Sequence, residues 1–286
     1  MNIEEFINYW DKTIKEWSDS GGDIPESEQV WFEGKSKLYE WSKLMPEPYW
    51  GDPSNCSVAI LNYNPYCIPE IDESCDGSIE NKDDKTTVCG LMADNYSDIA
   101  KSFPILDRHL KCPYKCFGGV GWWKRKEKWL NQIISSYKPE ILNYDLKPFA
   151  LELCGWHSPE WKFVKINKNT RKNILERVIP VFKEAISNSK LKFGLCIGKG
   201  LGNILLQLTN RDGDKNIYND KIISMLYKEL DPKIQEKDRN YRVLDLGDGA
   251  LVLNTYGGRN TSPSPYFAKF EKNLIETIKY NQNEEL

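Results

Sequence analysis

Four short apolar runs, each ending in a cluster of polar and turn residues, constrain this chain more than any other feature. They are SVAILN (57–62), FALELC (149–154), KFGLCIG (192–198) and ALVLNTY (250–256). Their length and their content of β-branched and aromatic residues are those of strands buried on both faces. Helical patterns alternate with them. NTRKNILERVIPVFKEAISNS carries an amphipathic stripe with Asn169 or Thr170 as its cap, GLGNILLQL follows the third run directly, and SPYFAKFEKNLIETIKY follows the fourth. Strand then helix, repeated, predicts a three-layer α/β/α fold around a central, mostly parallel four-stranded sheet.

A further helix is expected at the start of the chain. Ile3, Phe6, Ile7, Trp10, Ile14 and Trp17 recur at helical spacing until Ser-Gly-Gly-Asp ends the pattern. At 286 residues the chain is read as one domain, with residues 1–50 as a helical cover and residues 70–123 as an insertion or lid. No run reaches the ~20 apolar residues of a membrane span, and the acidic, aromatic N-terminus is unlike a signal peptide, so the expectation is a soluble, cytoplasmic protein without a membrane partner.

Eight cysteines in a chain of this length, without an export signal, are expected to be reduced. Cys154 and Cys196 fall in apolar runs and read as small core residues. Cys112 and Cys116 have the spacing of a metal pair but lack a second tight pair, so neither a metal nor a cofactor is expected. The net charge of −3 gives no whole-molecule nucleic-acid signature. Its distribution is uneven: residues 70–107 are rich in acid, whereas residues 111–177 are rich in Lys and Arg and hold Trp122, Trp123, Trp129, Trp156 and Trp161. Cations interleaved with aromatics suit a phosphate backbone with stacked bases, and a solvated helical face beside core tryptophans would look the same.

In an open parallel sheet, ligands bind outside the carboxyl ends of the strands. Here those ends read Asn62-Tyr63-Asn64-Pro65-Tyr66, then GWHSPEW, GKGLGN and NTYGGRNTSPSP, all rich in small and polar residues. The first and last of these resemble the motifs of the uracil-DNA glycosylase superfamily. In that superfamily the first strand ends in Gly-Gln-Asp-Pro-Tyr or Gly-Met-Asn-Pro-Gly, and a late loop carries His-Pro-Ser-Pro. Tyr63-Asn64-Pro65-Tyr66 matches the first motif and Ser262-Pro263-Ser264-Pro265 the second, while the third run ends in Gly-Lys as the family strand commonly does.

The resemblance, spanning residues 57–280, implies a cleft that takes a nucleobase or nucleotide, with DNA or a nucleotide as partner and cleavage of an N-glycosidic bond as the activity. Asn64 takes the water-positioning place and Tyr66 the place beside the base. Position 262 is Ser where the motif has a base-stabilising histidine, and His157, at the end of the second run, is the candidate replacement. No asparagine ends the second run to read the base edge, and the 77–123 insertion has no counterpart in well-known members. The branch is therefore a divergent one.

The expected site thus comprises Asn64 and His157 as catalytic residues and Asn62, Tyr63, Tyr66, Asn254, Ser262 and Ser264 as substrate contacts. Lys199, Arg259, Trp122, Trp123 and Arg125 are expected to face phosphate or nucleic acid. An amide is no general base, so Asn64 can only orient water or a substrate hydroxyl. The same asparagines would equally cap the turn that Pro65 locks. A non-catalytic nucleotide- or protein-binding member of the same fold is the alternative.

Overall fold

The computed structural model describes residues 1–34, 36–63, 65, 78–84, 87–102, 147–158, 160–209 and 241–255. Helix α1 (Ile3–Asp19) forms where the 3.6-residue stripe places it. Asn2 caps it reciprocally with Glu5: the Glu5 N–H donates to Asn2 Oδ1 and the Asn2 N–H to Glu5 Oε2, both over 2.9 Å. Gly21 and Gly22, at φ 75° and 90°, turn the chain out of the helix in a conformation that favours glycine. Ile3, Phe6, Ile7, Trp10, Ile14 and Trp17 are buried, and two short helices follow later in the chain, α2 (Val88–Met92) and α3 (Tyr96–Ser102), the latter packed on α1.

All four apolar runs become parallel strands. They are β2 (Val58–Asn62), β3 (Pro148–Glu152), β4 (Gly194–Ile197) and β6 (Leu251–Thr255), with β2 parallel to β3 and β4, and β4 parallel to β6. Among the described residues the sheet nevertheless has six strands rather than the four expected. A two-residue strand β1 (Tyr49–Trp50) pairs antiparallel with β3, and β5 (Tyr241–Asp245) pairs antiparallel with β6, giving the order β1-β3-β2-β4-β6-β5. The molecule is therefore α/β with a mixed sheet. Antiparallel neighbours need only a short connection, which Gly247 and Gly249, both at positive φ, supply between β5 and β6.

Register assigns the faces. Ala59, Leu61, Phe149, Leu151, Gly194, Cys196 and Val252 share one face. A helical stretch lies against it: α4 (Lys168–Asn173), a π-helical turn (Ile174–Val178) and α5 (Ile179–Asn188). Its cap is Asn167, not Asn169 or Thr170 as expected. Asn167 Oδ1 accepts the N–H groups of Asn169 and Thr170 at 2.8 and 2.9 Å, while the Asn169 amide turns away to Glu33. The π-turn ends two residues before Pro180, which has no N–H for the ladder.

Helix α5 comes so close to β4 that a Cβ on Gly194 would stand 2.7 Å from Ile186 and 2.8 Å from Phe182. Helix α1 covers the β1 side of the face through Phe6, whose ring packs on Tyr49, itself packed on Phe149. Helix α6 (Lys199–Thr209) leaves β4 directly and packs on β4 and β6. On the opposite face Val58, Ile60, Leu195, Leu251 and Leu253 are buried as well. Burial on both sides explains why these strands read as unbroken apolar runs.

Candidate functional site

The carboxyl ends of the parallel strands are joined by an extension of the β2–β3 pairing beyond the strands themselves. The Leu153 N–H donates to the Asn62 carbonyl at 3.0 Å, the Cys154 N–H to that of Tyr63 at 2.9 Å and the Ser158 N–H to that of Pro65 at 3.2 Å. The first motif is thus held against residues 153–158. Tyr63, half-buried, lies with Cε2 3.6 Å from where Gly198 would carry a Cβ. Gly198 sits at φ 105°, a conformation that favours glycine, and turns the chain from β4 into α6.

Asn254, on β6, is buried. Its Nδ2 lies 3.0 Å from both the Cys196 and the Gly198 carbonyls, so it ties β6 to the end of β4 and accounts structurally for part of what was expected to contact substrate. Lys199 opens α6. Asn64, Tyr66, Trp122, Trp123, Arg125, Arg259, Ser262 and Ser264 lie outside the described residues, as do Cys112 and Cys116.

His157 is placed differently from the expectation of a side chain open to the cleft: it has no exposed surface. Its Nε2 lies 3.0 Å from the Met45 carbonyl, which can only accept, so that nitrogen carries a proton. The same atom is 3.5 Å from Glu47 Oε1, and the other Glu47 oxygen accepts from Trp50 Nε1 at 2.9 Å. The segment preceding β1 has drawn the imidazole inward. Trp156, one of the tryptophans considered for base stacking, is likewise core: it packs edge-on against Phe32 with ring centroids 5.0 Å apart and donates its indole N–H to Glu28.

Sequence reasoning missed the acid that accompanies Asn62. Asn62 and Glu152 are direct partners in the β2–β3 register, and Asn62 Nδ2 donates to Glu152 Oε1 over 3.0 Å. Both are 9% exposed, and Asn62 Oδ1 and Glu152 Oε2 are shut from solvent without a hydrogen-bond partner. Burial, reinforced by the nearby Glu47 charge and opposed by the Asn62 bond, pushes the Glu152 carboxyl well above the ordinary carboxylate range, towards the neutral acid. A lone acid in an otherwise apolar strand, FALELC, was the available signal.

A second buried acid, Glu28, gathers donors from three other parts of the chain. It accepts hydrogen bonds from Tyr9 Oη, from Trp156 Nε1 at 2.9 Å and from Arg177 Nη1 at 3.2 Å, while the Arg177 guanidinium lies 4.3 Å from the Tyr9 ring centroid. Burial raises the Glu28 pKa against the opposing pull of those donors. No group of three or more His, Cys, Asp or Glu among the described residues could hold a metal ion, and no described helix is long and apolar enough to cross a membrane. Compared with family models, with curated proteins and with solved structures, the chain matches none.

Proposed function

We propose that this chain is a divergent uracil-DNA glycosylase-like protein, three-layered in the manner of that superfamily, which binds a nucleobase or nucleotide at the carboxyl ends of its parallel strands. The observation that carries the reading is the convergence there of the β2, β3 and β4 ends, through the bonds that join residues 62–65 to residues 153–158 and through Tyr63 against Gly198. Open parallel sheets take their ligands at such an edge.

In this reading Asn64 orients a water or a hydroxyl, Tyr63 and Tyr66 offer π surfaces, and Ser262, Ser264, Arg259 and Lys199 meet phosphate. Trp122, Trp123 and Arg125 are read as DNA contacts from their residue types. Cleavage of an N-glycosidic bond would rest on electrostatic stabilisation of the departing base rather than on a general base. The burial of His157 against Met45 and Glu47 favours a second reading, a binding protein without chemistry.

A strand-cleavage assay on DNA containing uracil, hypoxanthine or a mismatch, run beside salt-dependent DNA binding, separates the two. Cleavage abolished by Asn64→Ala supports the enzyme. Binding without cleavage supports the second reading, and neither cleavage nor DNA binding on any substrate removes the glycosylase reading.

A further inference from the structure

We infer that Asn62 and Glu152 together form a two-point hydrogen-bonding station for the edge of a planar nitrogen heterocycle, with Glu152 as a specificity-determining residue. The inference rests on the nucleobase reading and adds to it the group that reads the ring. Its basis is geometric. The two residues face each other in register on adjacent parallel strands, and one bond between them, Asn62 Nδ2 to Glu152 Oε1 at 3.0 Å, uses one polar atom of each. What remains is Asn62 Oδ1 and Glu152 Oε2, both buried and both unmet.

Buried polar atoms are nearly always satisfied, so two orphans on side chains already bonded to each other point to an absent partner. With the carboxyl held neutral by burial, the pair presents one acceptor, the amide oxygen, beside one donor, the acid O–H. If the amide is turned over, the acid donates to Oδ1, and Nδ2 and a carboxyl oxygen remain, which is again one donor and one acceptor. Either orientation matches a ring edge that offers N–H next to C=O, or an amino group next to a ring nitrogen. Neither suits a phosphate, which offers acceptors alone. Since both atoms are closed to solvent, a ligand reaches them only when the site opens, and the bonds then form away from competing water.

The test is binding of deoxyuridine, deoxycytidine and deoxyinosine to the full chain, measured by calorimetry, with derivatives methylated on the ring nitrogen of the same edge as probes. Wild type is expected to bind at least one nucleoside and to lose about tenfold or more on ring methylation, the scale of one hydrogen bond. Glu152→Gln, which keeps one donor and one acceptor, is expected to retain affinity within about threefold, whereas Glu152→Ala and Asn62→Ala lose about tenfold or more and no longer sense the methyl group.

A folded Glu152→Ala that binds as wild type does and keeps the full methylation penalty overturns the inference and leaves the nucleobase reading standing. Should Glu152→Ala fail to fold, a methylated nucleoside that binds wild type as tightly as its parent overturns it equally. Wild type that binds no nucleoside overturns the inference, and the DNA assay above decides the nucleobase reading separately.

Discussion

Trp156 Nε1 donates to Glu28 Oε2 across 2.9 Å, joining the segment that follows β3 to a short 3-10 turn (Glu26–Trp31) of the N-terminal region. With Tyr9 and Arg177 on the other oxygen, this one carboxyl connects four parts of the chain behind the strand ends. Glu28→Ala leaves three donors without their acceptor. It should cost about 2–4 kcal/mol in chemical denaturation, the range for breaking a buried charged network on one side with one partner partly solvated. A loss under about 0.5 kcal/mol would show the network to be energetically idle.

Glu152 should make stability fall with rising pH. Its folded pKa lies above its unfolded one, so its contribution is fully present below the ordinary carboxylate range, about pH 4, and is lost as pH climbs towards the raised value. The slope approaches about 1.4 kcal/mol per pH unit while the folded group stays neutral. Glu152→Gln removes this component, so its advantage over wild type should widen from pH 4 upwards. Parallel stability profiles for the two proteins would contradict the assignment.

Gly198 turns β4 into α6 at φ 105°, and its missing side chain faces Tyr63 at ordinary contact distance. Gly198→Ala should therefore destabilise through backbone strain rather than collision, by about 1–3 kcal/mol. Thermal unfolding measures it. Because Tyr63 leans on this turn, any nucleoside affinity at the proposed site should fall together with stability, and a variant as stable as wild type would show that the turn relaxes freely.

Burial also pushes the Cys56 thiol up to about 12 and the Cys154 thiol well above its usual value. Neither forms appreciable thiolate at pH 8, and the thiolate is the reactive species. Mass spectrometry after iodoacetamide treatment of the native protein should find both unmodified, and both labelled once the chain is unfolded. Rapid native labelling of Cys154 would mean that the strand-end region opens readily.

Several elements were legible because their pattern is local. Strands buried on both faces have to be short apolar runs, and α1 shows its stripe and its glycine stop within about twenty residues. The edge strands were less visible: β1 is only two residues long. Strand β5 could have been found from the Gly-Asp-Gly turn that separates it from β6, since such a turn between two apolar runs is a hairpin signal. The Asn167 cap was missed because three nearby residues all have capping side chains, and Glu33, distant in sequence, accepts from the Asn167 and Asn169 amides alike, so the arrangement is not a local one.

The site was legible as a place and much less as a set of roles. That polar residues collect at the ends of the apolar runs follows from the amino-acid order alone, and with it the position of Asn62 and Tyr63 at the end of β2. Which side chains meet there is a matter of register between strands some ninety residues apart, and no local pattern encodes it. Tertiary structure alone set Glu152 opposite Asn62, turned His157 inward to Met45 and Glu47, and sank Trp156 onto Glu28. The physical reason is the same in each case: a polar group that loses water takes whatever partner the packing brings to it, and packing is decided by the whole chain.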